Sequence, residues 1–242
     1  MKKLALILLF LVTIACLSCK SESKKLVYSE DYDKFKYYDK YTDEYGNEGV
    51  IVYISRYVSS GALAEVIVLS ADESEEHWGP MGELVYKAEV ESNAVFKTPR
   101  FGLGMLQCMK SIGIERFPAQ KWCDEKNNGE QYPDAGSWRL PTYEEFKNIF
   151  DKGESVGVIN RALRKIGGTQ VDTNELYWTC VEDFDNYINI TSGNTTLNTD
   201  YDKENRAVLT SPKNTVYSNK DRWLKKNKYR VRAIKYIYLA NS

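Results

Sequence analysis

The sequence predicts an α+β domain, and three observations carry that prediction. Short β-branched and aromatic runs stand near both ends of the chain. Between them, apolar residues recur at three- and four-residue spacing. A Thr-x-x-Glu box and a Gly-Gly pair supply helix start and stop signals in that middle region. Small antiparallel sheets, two or more packed helices and a long loop region are expected.

The chain opens on "MKK", then twelve residues, "LALILLFLVTIA", with no charge. A bilayer span needs roughly 20 apolar residues, so this run reads as the apolar region of an export signal. "CLSCKSESKK" follows. A cysteine after small residues, then a polar tether, resembles the acylation site of a bacterial lipoprotein. Cys16 and Cys19 compete for that role; Cys19 is favoured because the charged tether begins directly after it. The expected organisation is a signal peptide over residues 1–18, a lipidated cysteine and polar tether over 19–44, and one domain over 45–242. The expected location is the cell envelope, at the outer membrane.

Cleavage before Cys19 leaves 31 basic against 34 acidic residues, a net charge of −3. That balance gives no electrostatic footprint for nucleic acid. Cys108, Cys123 and Cys180 remain as thiols in an oxidising compartment, so one disulfide is allowed, and it would contain Cys108 or Cys123. No Cys-x-x-Cys and a single histidine leave no zinc pattern. Tyrosine outnumbers phenylalanine, 18 to 8, which suits half-buried strands and wet binding surfaces.

"GVIVYISRYV" (49–58) and "LAEVIVLSA" (63–71), separated by "SSG", read as a strand pair. "DESEEHWGPMG", with Gly79, Pro80 and Gly82, reads as a loop. Leu103, Leu106, Met109 and Ile112 take helical spacing up to Gly113, and Pro118 opens a second helix carrying Trp122 and Cys123. In "WRLPTYEEF" (138–146), Leu140 precedes proline and is pushed towards extended backbone. Thr142 and Glu145 form a capping box, and Phe146, Ile149 and Phe150 line the helix behind it. Trp138 and Leu140 belong in the core, and Arg139 is suited to holding a carboxylate or backbone carbonyls. A further helix over about 156–166 stops at Gly167-Gly168. "LYWTCVE", "NYINIT", "RAVLT" and "YRVRAIKYIYL" then read as strands.

"WRLPTYEEFKNIF", "INRALRKIGG", "YWTCVE" and "YRVRAIKYI", in that order, resemble the Lcl C-terminal-like domain, a family of bacterial surface modules. "GVIVYIS", "VIVLSADESEEHWGP" and "FPAQKWCDEK" extend the resemblance upstream, from around residue 45 to the end. The resemblance implies a C-type-lectin-like fold, shared with formylglycine-generating enzymes, in which the terminal strands pair. It also implies a non-catalytic adhesion module that binds glycans or surface proteins through its long loops.

In this chain the long loop covers about 181–227. Asp183, Asp185, Tyr187, Tyr201, Asp202 and Trp223 are its candidate ligand residues. Carboxylates can hold sugar hydroxyls directly or through calcium, and aromatic rings can stack on sugar faces. The plainer alternative for each residue is a solvated polar loop. No cofactor is expected; calcium is the one metal considered, although "DYDKEN" lacks the sixth-position glycine and closing glutamate of an EF-hand. An oxidase like the formylglycine-generating enzymes is the alternative, yet only Cys180 follows the nonamer, and a "GNVWEW" segment is absent. A thiol or hydrolytic enzyme would have to use His77, the only histidine.

Overall fold

The computed structural model describes residues 34–55, 64–83, 85, 101–129, 136–151, 156–182, 188–191, 194–197, 206–212 and 222–239. They form an α+β fold. Strands β1 (Lys40–Thr42), β2 (Glu48–Ser55), β3 (Ala64–Ser70) and β4 (Ser74–His77) come first. Helices α1 (Phe101–Ile112), α2 (Pro118–Glu125), α3 (Tyr143–Asp151) and α4 (Val156–Lys165) follow. The remaining strands are β5 (Tyr177–Glu182), β6 (Ile188–Thr191), β7 (Asn194–Leu197), β8 (Arg206–Thr210), β9 (Arg222–Leu224), β10 (Lys228–Val231) and β11 (Ile234–Leu239).

Among the described residues there are two larger sheets, ordered β1-β2-β3-β11 and β4-β10-β5-β8-β9, and a β6-β7 ribbon. The expected pair β2 and β3 is antiparallel, with Val50 opposite Leu69. β11 then closes on β3, with Tyr236 opposite Ile67. Both faces of this sheet are buried. Val50, Ile67, Leu69, Ile234 and Tyr236 meet α3 and α4 in one cluster. Ile51, Ile54, Val66 and Val68 meet α1, α2 and the second sheet in the other. Two-sided burial explains why these strands read as continuous apolar runs and not as alternation. An irregularity in register between Ile51 and Tyr53 puts Val52 and Tyr53 on the same side, as a bulge does.

The helices begin and end where local chemistry directs. Thr142 Oγ1 accepts the Glu145 N–H at 3.1 Å, and Glu145 Oε2 accepts the Thr142 N–H at 2.8 Å, a complete capping box. Phe146, Ile149 and Phe150 are buried behind it. At the end of α4 the Gly168 N–H reaches the Leu163 carbonyl and the Gly167 N–H reaches that of Arg164. This is a Schellman arrangement, and it requires the positive φ of 75° that Gly167 adopts. Pro118 opens α2, which buries Cys123 and leaves Trp122 half-buried.

The structure departs from the sequence reading at two places. Residues 74–77, expected in a loop, form β4, whose Glu75 and Glu76 lie opposite Arg230 and Tyr229 of β10. Its side chains are only half-buried or exposed, so an acid-rich segment can still pair its backbone. Residues 40–42, expected in the tether, form β1 against Glu48–Val50, so the fold starts upstream of residue 45. Cys108, Cys123 and Cys180 are buried thiols, none in a disulfide, so the one pairing that the cysteine count allowed is not formed. All three fill one apolar cluster as small side chains.

Candidate functional site

The nonamer Trp138–Phe146 is a structural junction. Trp138, Arg139 and Leu140 are fully buried, and their backbones are claimed from several directions. Asn127 accepts the Trp138 N–H at 2.8 Å and donates to the Trp138 carbonyl at 3.0 Å. Gln120 Oε1 accepts the Leu140 N–H at 3.0 Å. Arg139 and Ile234 exchange both backbone bonds, which stitches the nonamer to β11. The Arg139 guanidinium forks onto both oxygens of Glu145, each at 2.7 Å, and also donates to the Leu140 carbonyl. Burial alone would push the Glu145 carboxyl up; the Arg139 charge and its hydrogen bonds hold it below its ordinary value. Every polar group of this pair is therefore committed to the cap and the turn, with only Arg139 Nε unbonded.

Two aspartates near this junction shift in opposite directions. Desolvation would raise Asp43. Hydrogen bonds from the Trp138 indole at 2.6 Å and from Asn47 outweigh it, as does the Lys235 charge, and its pKa falls. Burial dominates at Asp124 and pushes it up to about 6, against a hydrogen bond from Gln120 and the Lys110 charge. Asp124 also sits in the last turn of α2, where the helix dipole disfavours an anion. A raised acid stabilises the fold below its unfolded value and loses that contribution as pH rises through its folded value. Asp124→Asn is therefore expected to leave the melting temperature near the parent's at pH 4 and to exceed it increasingly up to about pH 6. Thermal melts across that window check this; a constant difference would assign the shift to another group.

A buried ion pair joins the end of β5 to the residue after β9. β5 ends at Glu182, β9 leads into Lys225, and both side chains are fully buried. Lys225 Nζ bonds the Glu182 carboxylate and donates to the Glu83 carbonyl at 2.9 Å. The Val85 N–H donates to both Glu182 oxygens at 3.0 and 2.9 Å. Trp78 lies beneath: its ring centroid is 5.1 Å from Lys225 Nζ, its N–H reaches the Lys225 carbonyl, and its indole N–H reaches the Thr179 carbonyl. One ion pair thus ties the 83–85 segment to the exits of two strands. Sequence spacing gave no sign of it. Lys225 sits in "LKKNK", which reads as solvated, and Glu182 closes an apolar run 43 residues earlier.

Of the predicted ligand residues, Asp183, Asp185, Tyr187, Tyr201 and Asp202 lie outside the described residues, as does the acylation candidate Cys19. Trp223 lies in β9, with its backbone opposite buried Ala207. β9 is an edge strand of the β4-β10-β5-β8-β9 sheet, and β5 is its central strand. His77 ends β4 and is half-buried, and its Nδ1 has no hydrogen-bond partner. Burial pushes the Cys123 and Cys180 thiols well up, so both keep their protons at neutral pH. Among the described residues no group of three or more His, Cys, Asp or Glu is arranged to hold a metal. No helix among them is long and apolar enough to cross a membrane. Comparison with family models, with curated proteins and with solved structures finds no match to this chain.

Proposed function

We propose that this chain is a lipid-anchored envelope protein, held through Cys19, whose domain binds a glycan or surface protein without catalysis. The finer fold proposed is C-type-lectin-like; the last strand, β11, pairs with β3 and not with β1, the first of the described strands. The observation that carries the proposal is a division of labour. The nonamer's polar groups are spent on capping and packing, while the buried Glu182–Lys225 pair joins the two residues that flank the 183–224 stretch. Within that stretch the sequence carries carboxylates, amides and aromatic rings, and loops on a rigid scaffold commonly carry binding.

A glycan array probed with the soluble domain, with and without chelator, tests the ligand class. Binding lost on chelation would add calcium to the site. Alanine at Tyr187 or Tyr201 is expected to weaken binding at least tenfold, the scale of about 1.4 kcal/mol for a lost stacking contact, with the melting temperature nearly unchanged. Binding that survives those replacements and Trp223→Ala but fails in a folded Arg139 variant would put the site on the opposite side of the domain.

A further inference from the structure

We propose that the outer face of α4 rests on anionic phospholipid headgroups and sets the orientation of the tethered domain. This inference depends on the acylation of Cys19 and is independent of any glycan ligand. Gly157, Arg161, Arg164 and Lys165 are all exposed and fall at i, i+4, i+7 and i+8, on one helix face. No acidic residue occurs between 156 and 171, in a chain whose net charge is −1. Cations in the last turn suit the helix dipole, which accounts for Arg164 and Lys165; Arg161 lies a turn further back.

The tether's point of arrival supplies a second observation. The Tyr38 N–H bonds the Ile51 carbonyl of β2, and the Tyr38 ring packs against the cluster formed by Ile159 and Leu163 of α4. The entry segment thus touches both faces of the sheet, with Phe35 against the cluster of α1 and α2 and Tyr38 against that of α4. Lys36, beside this entry, is exposed, and so is Tyr37, a residue type favoured at membrane interfaces. Asp39 is the one exposed acid within this entry segment.

Length fixes the reach. Fourteen residues, 20–33, separate Cys19 from Lys34. Such a segment spans about 50 Å fully extended and on the order of 20 Å as a flexible coil. An acylated chain therefore holds the entry segment, and the end of the sheet it joins, within a few screening lengths of the bilayer, each about 8 Å at physiological salt. Each cation brought to an anionic surface favours contact by roughly fivefold, so three favour it by on the order of a hundredfold.

The test uses the full-length acylated protein in vesicles. A nitroxide at Gly157→Cys reports on α4, since the three native thiols of the domain are buried. A second at Glu115→Cys reports from the turn packed on the opposite cluster. In phosphatidylethanolamine–phosphatidylglycerol vesicles, accessibility of the Gly157 label to an aqueous relaxant should fall severalfold relative to phosphatidylcholine vesicles. The Glu115 label should not change. Arg161→Gln, Arg164→Gln and Lys165→Gln together should restore accessibility, as should high salt. Equal exposure in both lipids, or equal shielding in both, would overturn the proposal, the latter pointing to contacts between copies. A mass spectrum of the same sample separates the two premises. A chain without acyl groups removes the anchor, whereas an acylated chain with an exposed Gly157 label removes only the orientation.

Discussion

Trp138→Ala is expected to leave much of the protein unfolded at 37 °C. The indole is fully buried at the centre of one apolar cluster, and truncating such a ring costs about 3–5 kcal/mol. The loss does not stop at packing. The indole N–H is one of the donors that keep the buried Asp43 carboxylate ionised, and an orphaned buried acceptor adds about 1–3 kcal/mol. Total stabilities of domains are only about 5–15 kcal/mol. Trp138→Phe separates the two contributions, because it keeps most of the ring and removes only the donor. Urea titrations of the parent and both variants check this; an alanine variant that loses less than the phenylalanine variant would show that the pocket collapses without cost.

Lys225→Met is the second large effect. Replacing the lysine leaves Glu182 fully buried without the cation that bonds its carboxylate, while the Val85 N–H still donates to it. Breaking a buried pair from one side costs about 3–5 kcal/mol. Glu182→Leu combined with Lys225→Met should recover most of that loss, since the second change removes the stranded charge along with its partner. Denaturant midpoints measured as a double-mutant cycle give the coupling. Additive single effects would mean the two side chains do not depend on each other.

What could be read in the sequence was local. Thr142 and Glu145 are three residues apart, so their capping box follows from the chain alone, and Gly167-Gly168 likewise ends α4. Arg139 holds both a carboxylate and a carbonyl, the two partners its planar fork suggests. The strand pair β2 and β3 was legible because burial on both faces makes the apolar runs dense. Long-range polar pairing was hidden. Nothing about "KYTDEYGN" announces that Asp43 will serve Trp138, 95 residues away. β4 was missed because "SEEH" owes its strand to β10, which lies at the far end of the chain. The candidate ligand residues came from composition and resemblance, and apart from the backbone of Trp223 they lie outside the described residues.

The closure of β11 on β3 also sets a timetable. A ribosome makes β3 more than 160 residues before its partner Ile234–Leu239 arrives, and the Arg139–Ile234 exchange waits for the same strand. Until then the nascent chain carries a half-paired apolar sheet, with α3 and α4 lacking Ile234 and Tyr236 to pack on. Non-local closure of this kind is slow, because loop entropy must be spent before the contacts form. A chain released without its last dozen residues would lack the closing strand altogether. Under the export proposed above, late closure would have a use: the chain would stay threadable through a translocation channel until synthesis ends, and folding would begin on the far side.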